Sequence, residues 1–227
     1  MKTVHVTPNL IQLDRLRFVN AYLVREPDGF TLVDTTLGGA ADALIAAASA
    51  AGGPIRRIAL THGHSDHAGS LDALRATLGD GVEIYLGELD ARIHAGEPVV
   101  AGKLRGSWPK KVQTRPDVCL TGGERIGSLE VIPSPGHTPG HMAFLDTRDR
   151  TLIAGDTFTS YVRVEIPNHL LQPFPLAAMG TQDAEGVVES ARALRALDPP
   201  ILAIGHGPAV WAPVVAMDAA IKRASGR

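Results

Sequence analysis

The chain has a single cysteine, Cys119, among 227 residues, so no internal disulfide can form. A lone thiol in DVCL, without ligand-like neighbours, is expected to be buried and inert in or beside a strand, not nucleophilic. No apolar run approaches the ~20 residues that span a bilayer, so no membrane partner is expected. The opening MKTVHVTPNL lacks the apolar core of a secretory signal, and a cytoplasmic location is the expectation. Neither sign of charge dominates: the net charge of -2 argues against a dedicated nucleic-acid binder. One modest basic group, Lys103, Arg105, Lys110 and Lys111, reads as a solvated loop. Internal repeats and low-complexity linkers are also missing, and 227 residues suit one domain over 1–227. Hydrophobic residues at 44% and charged residues at 20% are ordinary for a globular protein.

What is present is an alternation of strand-like and helical segments. Phe18 to Val24 and Phe30 to Val33 flank the turn Glu26-Pro27-Asp28-Gly29 and read as a hairpin. Asp34 ends its second strand. The alanine-rich stretch from Ala40 to Ala51 predicts a helix, closed by Gly52-Gly53-Pro54. A short strand from Arg57 to Leu60, a helix from Leu71 to Leu78 and an alternating strand from Val82 to Leu86 follow. Residues 96–116 show no period and predict a long surface loop carrying Trp108; long loops in compact domains are often functional. Further strands are expected near Val118, near Arg125 and Ile126, and over Leu129 to Ile132, Met142 to Asp146, Thr151 to Ala154 and Ile201 to Ile204. Helices are expected over Asp183 to Leu197 and Pro213 to Ala224. This order fits sheets covered by helices on their outer faces.

The most informative run is THGHSDHAGS at residues 61–70. It places His62, His64, Asp66 and His67 within six positions, and imidazole with carboxylate is the usual ligand set for zinc and related metals. In extended backbone His62 and His64 point to one side. A helix beginning near Asp66 would turn Asp66 and His67 toward a second, adjacent position. Three other segments share this character: PSPGHTPGHMAF at 133–144, AGDT at 154–157 and IGHGP at 204–208. Each sets a histidine or aspartate after a strand and beside glycine, which permits close backbone approach. His137, Asp156 and His206 bring the candidates to seven. Two metals sharing a bridging carboxylate would use all seven, whereas one would leave several idle. His141, close to His137, is expected to orient a ligand or loop by hydrogen bonding. His5, His94 and His169 lie in no motif and read as surface or packing residues.

The motifs THGHSDH, PGHTPGH, AGD and IGHG resemble, in order and spacing, those of metallo-β-lactamase-fold hydrolases. The resemblance runs from Asp34 to His206. It implies an αββα sandwich, two mixed β-sheets with helices on the outer faces and the metals on loops at one edge. It further implies that His62, His64 and His137 bind one metal, that Asp66, His67 and His206 bind the other, and that Asp156 bridges them. Asp34 resembles the family's strand-end aspartate, which supports the site from behind.

Such a metal pair lowers the pKa of water toward neutrality and polarises a substrate oxygen. The implied reaction is attack of a metal-bound hydroxide on the acyl carbon of a lactone, ester or thioester, with Asp66 and Asp156 in catalytic positions. Zinc is the first expectation for both divalent ions; iron, manganese and cobalt also suit mixed nitrogen and oxygen ligands. PGHTPGH resembles the version in glyoxalase II-like thioesterases and N-acyl homoserine lactonases. The lactonases carry a tyrosine three positions after the bridging aspartate, where this chain has Thr159, with Tyr161 as the candidate substitute. Phe158, Tyr161, Leu171 and Phe174, within the irregular apolar segment 158–179, are the expected substrate-binding residues for a small-molecule acyl substrate. Rival readings are a mononuclear iron enzyme oxidising persulfides, a phosphodiesterase and a β-lactamase. The complete ligand set speaks against the first, the lack of a basic insertion against the second, and the bridging aspartate against the third.

Overall fold

The computed structural model describes residues 1–109, 112–170 and 174–226. Seven strands form one sheet in chain order: β1 (Lys2–His5), β2 (Leu10–Arg15), β3 (Val19–Glu26), β4 (Gly29–Val33), β5 (Ile55–Ala59), β6 (Glu83–Gly87) and β7 (Val118–Leu120). The first four pair antiparallel, and β4 to β7 pair parallel. The second sheet holds β8 (Arg125–Ile126), β9 (Leu129–Pro133), β10 (Met142–Asp146), β11 (Leu152–Ile153), β12 (Ile201–Ala203) and β13 (Val210–Trp211), with β11 and β12 parallel. The helices are α1 (Ala41–Ala50), α2 (Ser65–Ala68), α3 (Leu71–Leu78), α4 (Glu88–His94), α5 (Leu176–Gly180), α6 (Gly186–Ala196) and α7 (Val214–Ser225).

Strand alternation sorts the apolar side chains into three layers. Leu23, Leu32, Ile58 and Ile84 face outward and pack under Leu44 of α1 and Leu71 and Leu74 of α3. Their strand neighbours Tyr22, Val24, Val33, Ala59 and Tyr85 face the second sheet and meet Val131, Phe144 and Ile153. On its far side the second sheet presents Leu145, Leu152 and Leu202 to Leu194 of α6 and Met217 of α7. Central strands buried on both faces read as continuous apolar runs, as β3 and β10 do. The result is the expected αββα arrangement of two mixed sheets.

Among the differences from the sequence-based expectation are two helices and one exposed side chain. Glu88 and Asp90 in the first turn of α4, and Arg92 and His94 in its last, complement the helix dipole; the segment was too short for a hydrophobic period to betray it. The five-residue α5 lies within the segment read as irregular. Cys119 is exposed, not buried. On the edge strand β7 its neighbours Val118 and Leu120 turn toward the core, so alternation sends the thiol outward.

A buried polar seam joins the sheets where β12 ends. The Tyr22 hydroxyl donates to the Ile204 carbonyl at 2.7 Å and accepts from the Ile204 N–H at 2.9 Å. Asn20 Nδ2 donates to the carbonyls of Ile204 (2.9 Å) and Gly207 (2.7 Å), and its own amide donates to Gly205 at 2.9 Å. The seam brackets His206. Tyr22→Phe strips the buried Ile204 N–H of its acceptor, and we expect a loss of about 1–3 kcal/mol in equilibrium urea unfolding. An unchanged midpoint and slope would show that the seam contributes nothing to stability.

Candidate metal centre

The ends of β4, β5, β11 and β12, with the turn joining β9 to β10, bring the seven candidates together. After β5 the backbone stays extended through His64 (φ -66°, ψ 154°) and then coils into α2. The His64 carbonyl closes that turn, accepting from the amides of His67 (2.9 Å) and Ala68 (2.8 Å). His62 and His64 thus belong to an extended stretch, Asp66 and His67 to a helical turn. Asp156 sits in a short 3-10 turn after β11, and Gly205 lets it in: a Cβ at 205 would fall 2.0 Å from Asp156 Oδ1.

The polar atoms form three overlapping groups able to hold a cation: His62, His64 and His137; His62, His67 and Asp156; Asp66, His67 and His206, with the atoms of each group within 4.8 Å of one another. Asp156 lies between the outer two. Its Oδ2 is 3.4 Å from His137 Nε2 and 3.1 Å from His206 Nε2, and its Oδ1 is 3.4 Å from His67 Nε2. His64 Nδ1 is 3.1 Å from His137 Nε2, and Asp66 Oδ2 is 3.4 Å from His206 Nε2. A tetrahedron with bonds of ~2.05 Å has edges of about 3.3 Å, so these separations match donors around a shared ion.

The outer nitrogens determine which inner atoms are free. His67 Nδ1 donates to Asp34 Oδ2 at 2.9 Å and His206 Nδ1 to the Phe18 carbonyl at 2.6 Å. His64 Nε2 donates to the Arg105 carbonyl at 3.3 Å. The Thr61 hydroxyl gives its hydrogen to Asp34 at 2.8 Å, so it accepts from His62 Nδ1 at 3.0 Å. Thr181, whose hydroxyl donates to the Pro167 carbonyl at 2.7 Å, accepts in the same way from His137 Nδ1 at 3.0 Å. In its neutral form each imidazole therefore turns an unprotonated Nε2, or Nδ1 for His64, inward, the tautomer a metal needs. Two inner atoms, His62 Nε2 and Asp156 Oδ1, are buried with no hydrogen-bond partner. Such orphans cost free energy unless something binds them. The donor set fits a pair of divalent cations.

Electrostatics divides the site. Burial holds His62 and His137 well below the usual histidine range and His64 down to about 4. Burial also lowers His67 and His206, but nearby carboxylates outweigh it. Asp156, Asp34 and Asp66 lift His67 to about 9, and Asp156 and Asp66 lift His206 well above its ordinary value. Burial disfavours the charge on Asp66 and Asp156, yet the histidines beside them hold both carboxyls below the usual range. Protons on His67 and His206 thus balance the carboxylates when no cation does.

Asp34 and His141 support the site from behind. Asp34, in left-handed backbone (φ 63°), also accepts the Thr61 amide at 2.7 Å. His141 Nε2 accepts the Asp156 amide at 3.0 Å, and its Nδ1 meets the Ser134 hydroxyl at 2.8 Å. Asp90 had no motif to mark it. Fully buried on α4, it accepts the Gly63 amide (2.8 Å), the Thr138 hydroxyl (2.7 Å) and the Gly140 amide (2.7 Å). It thereby ties the first histidine loop to the His137 loop. Burial raises its carboxyl to about 6 despite those donors. His94 is part of the same support, because its Nε2 donates to the Gly63 carbonyl at 2.7 Å. The i, i+4 spacing of Asp90 and His94 on one helix would have been the signal.

A cavity of about 710 Å³ opens over the centre, lined by Asp66, Asp156, His137 and His206 and by Phe18, Leu37, Leu104, Phe174, Leu176 and Met179. Phe174 stands in it, 4.7 Å from the His206 ring. Phe158 does not line it: its ring is fully buried beneath α6 and α7, where the second sheet needs an apolar filling. Tyr161 is also outside the cavity, its hydroxyl donating to the Phe18 carbonyl at 2.5 Å. Leu171 lies outside the described residues, as do Lys110 and Lys111.

Two outcomes follow from this geometry. Asp90→Ala leaves three buried donors unanswered; we expect divalent-metal affinity to fall ~10–100-fold in chelator competition, whereas wild-type affinity would exclude the tie between loops. Metal uptake also separates by pH. His62, His64 and His137 are neutral at pH 7, but His67 and His206 must each shed a proton first, so binding at Asp66, His67 and His206 strengthens as pH rises toward 9. Titration calorimetry in buffers of different ionisation enthalpy should show protons leaving with the second equivalent and not the first. Equal release from both would contradict the division.

Residues 14–206 match the family model described as metallo-beta-lactamase superfamily. The Bacillus subtilis protein YobT is 41% identical over 211 residues, covering 91% of this chain and 90% of its own length. A hydroxyacylglutathione hydrolase of Anaeromyxobacter dehalogenans is 36% identical over 140 residues, covering 60% of this chain but only 44% of that longer protein. Among solved structures, TTHA1623 in a di-iron-bound form is 27% identical with a TM-score of 0.65, covering 94% of this chain and 96% of that one. The chain belongs to the metallo-beta-lactamase superfamily, as a metal-dependent hydrolase.

Proposed function

We propose that this hydrolase cleaves the acyl bond of a small-molecule ester, thioester or lactone at a dinuclear centre. His62, His64 and His137 would hold one ion and Asp66, His67 and His206 the other, with Asp156 shared. The observation that carries the reading is the set of unspent inner lone pairs facing a cavity with an apolar wall. Zinc is our first assignment; the di-iron form of TTHA1623 makes iron the second. Two such ions, when bound, polarise a substrate oxygen and bring water's pKa near neutrality.

The chain's own residues supply the rest. Asp34, Thr61, Thr181 and the carbonyls of Phe18 and Arg105 keep the five imidazoles oriented. Asp66 is 23% exposed while Asp156 is 2% exposed, so Asp66 is the carboxylate placed to pass a proton from water to the leaving group. Phe174, Leu176 and Met179 form a wall for an acyl chain. The likeness to a hydroxyacylglutathione hydrolase, by its name a hydrolase of an acyl compound, supports acyl transfer to water.

The test is a panel of an ester, a thioester, a lactone and a β-lactam, assayed with metal-loaded and chelated protein. Metal-dependent turnover of an acyl ester, thioester or lactone is expected. Turnover of the β-lactam alone, or of none, would defeat the reading. With a long-chain acyl substrate, Phe174→Ala should raise KM about tenfold, the worth of a partly buried ring, with a smaller effect on a two-carbon acyl group. Equal effects on both would remove Phe174 from the acyl wall.

A further inference from the structure

Residues 103–108, after α4, cross the cavity, and their backbone is pinned from both sides. On one wall the Ser65 amide donates to the Ser107 carbonyl at 2.7 Å, and His64 Nε2 donates to the Arg105 carbonyl at 3.3 Å. On the other, Gln182 Oε1 accepts the Arg105 amide at 2.9 Å, and its Nε2 donates to the Lys103 carbonyl at 3.4 Å. Gln182 is itself tied to the His137 carbonyl through its amide at 3.0 Å. Trp108 Nε1 adds a bond to the Arg105 carbonyl at 2.7 Å. A Cβ on Gly106 would fall 2.2 Å from His64 Nε2, so the strand of chain lies directly on that ring.

This pinning fixes where Lys103 and Arg105 stand while leaving their side chains unspent. Both line the cavity, and among the described residues neither the ammonium nor the guanidinium has a carboxylate partner. Elsewhere on the surface, Arg57 holds Asp28, Arg195 holds Asp218 and Arg223 holds Glu165. The two acids that share the cavity, Asp66 and Asp156, are committed to His67 and His206. The cavity therefore has metal donors on its floor, an apolar wall of Phe174, Leu176 and Met179, and two cations on the strap that meet no carboxylate among the described residues.

We propose that Lys103 and Arg105 form an anion-recognition subsite, so that the substrate is an acyl compound bearing a carboxylate or phosphate away from the scissile carbonyl. The proposal rests on the acyl-hydrolase reading above. Guanidinium binds either anion through two parallel N–H donors, and such charge-assisted bonds are about twice as strong as neutral ones. A preorganised backbone reduces what is lost in ordering the pair. The anion can sit on the acyl chain or on the leaving group, and the two placements are separated by synthesis.

Three thioesters of equal acyl length are compared on the metal-loaded protein: one neutral throughout, one with a terminal carboxylate on the acyl chain, and one with a phosphate on the thiol. The expected result is a kcat/KM about tenfold higher for one of the anionic compounds, an advantage that shrinks with added salt. Lys103→Gln combined with Arg105→Gln should bring the anionic-to-neutral ratio close to one, with the loss in KM for the anionic compound; metal content is read in parallel, since Arg105→Gln retains the carbonyl that meets His64. Equal turnover of all three thioesters, or a ratio that survives in the double variant, overturns the subsite while leaving the acyl-hydrolase reading intact. Hydrolysis of none of them, with the ester and lactone of the first panel also untouched, overturns that reading and the subsite with it.

Discussion

Everything at this centre depends on one constraint: five buried imidazoles must each give away the hydrogen on their outer nitrogen. An imidazole without an outer acceptor would be free to turn or to take the wrong tautomer. The fold supplies a different acceptor for each: a carboxylate for His67, hydroxyls for His62 and His137, and carbonyls for His64 and His206. With the outer hydrogens committed, the inner lone pairs are left facing one another and two carboxylates. In a fully satisfied interior such an arrangement would be a liability. Here it is the feature that bound cations would resolve.

The acceptors come from distant parts of the chain, which explains why the sandwich is needed. Asp34 ends a strand of the first sheet and reaches both Thr61 and His67. Phe18 precedes β3 yet caps His206, which follows β12 of the second sheet. The Tyr22 and Asn20 seam holds those two strands in register at that point. Asp90 does the same between the loops carrying His62 and His137. Sheet packing therefore sets donor separations of 3.1–3.4 Å that no single segment could set alone.

The seven candidates could be read from the sequence because their chemistry is concentrated in short motifs with glycine beside them. The layers could be read because strands buried on both faces leave long apolar runs. Residues whose role exists only in three dimensions left no such mark. Asp90 lies in no motif, and its i, i+4 spacing with His94 gains meaning only when its three donors are seen. Arg105 contributes through its backbone carbonyl as well as its charge, and a carbonyl has no sequence signature. Phe158 carried no sign of its place, because apolar residues in an irregular segment look alike whether they face a cavity or fill the space under two helices. The exposure of Cys119 was not legible either, because an edge strand exposes every second residue and edge position depends on the sheet's order.

The measurement that bears most directly on this account is anomalous diffraction at the metal edge from crystals grown with zinc. Two peaks about 3.5–4 Å apart are predicted, with Asp156 between them. Contact should run through Nε2 of His62, His67, His137 and His206 and through Nδ1 of His64. A single peak with His67 and His206 unengaged, or ligation through any outer nitrogen, would contradict it.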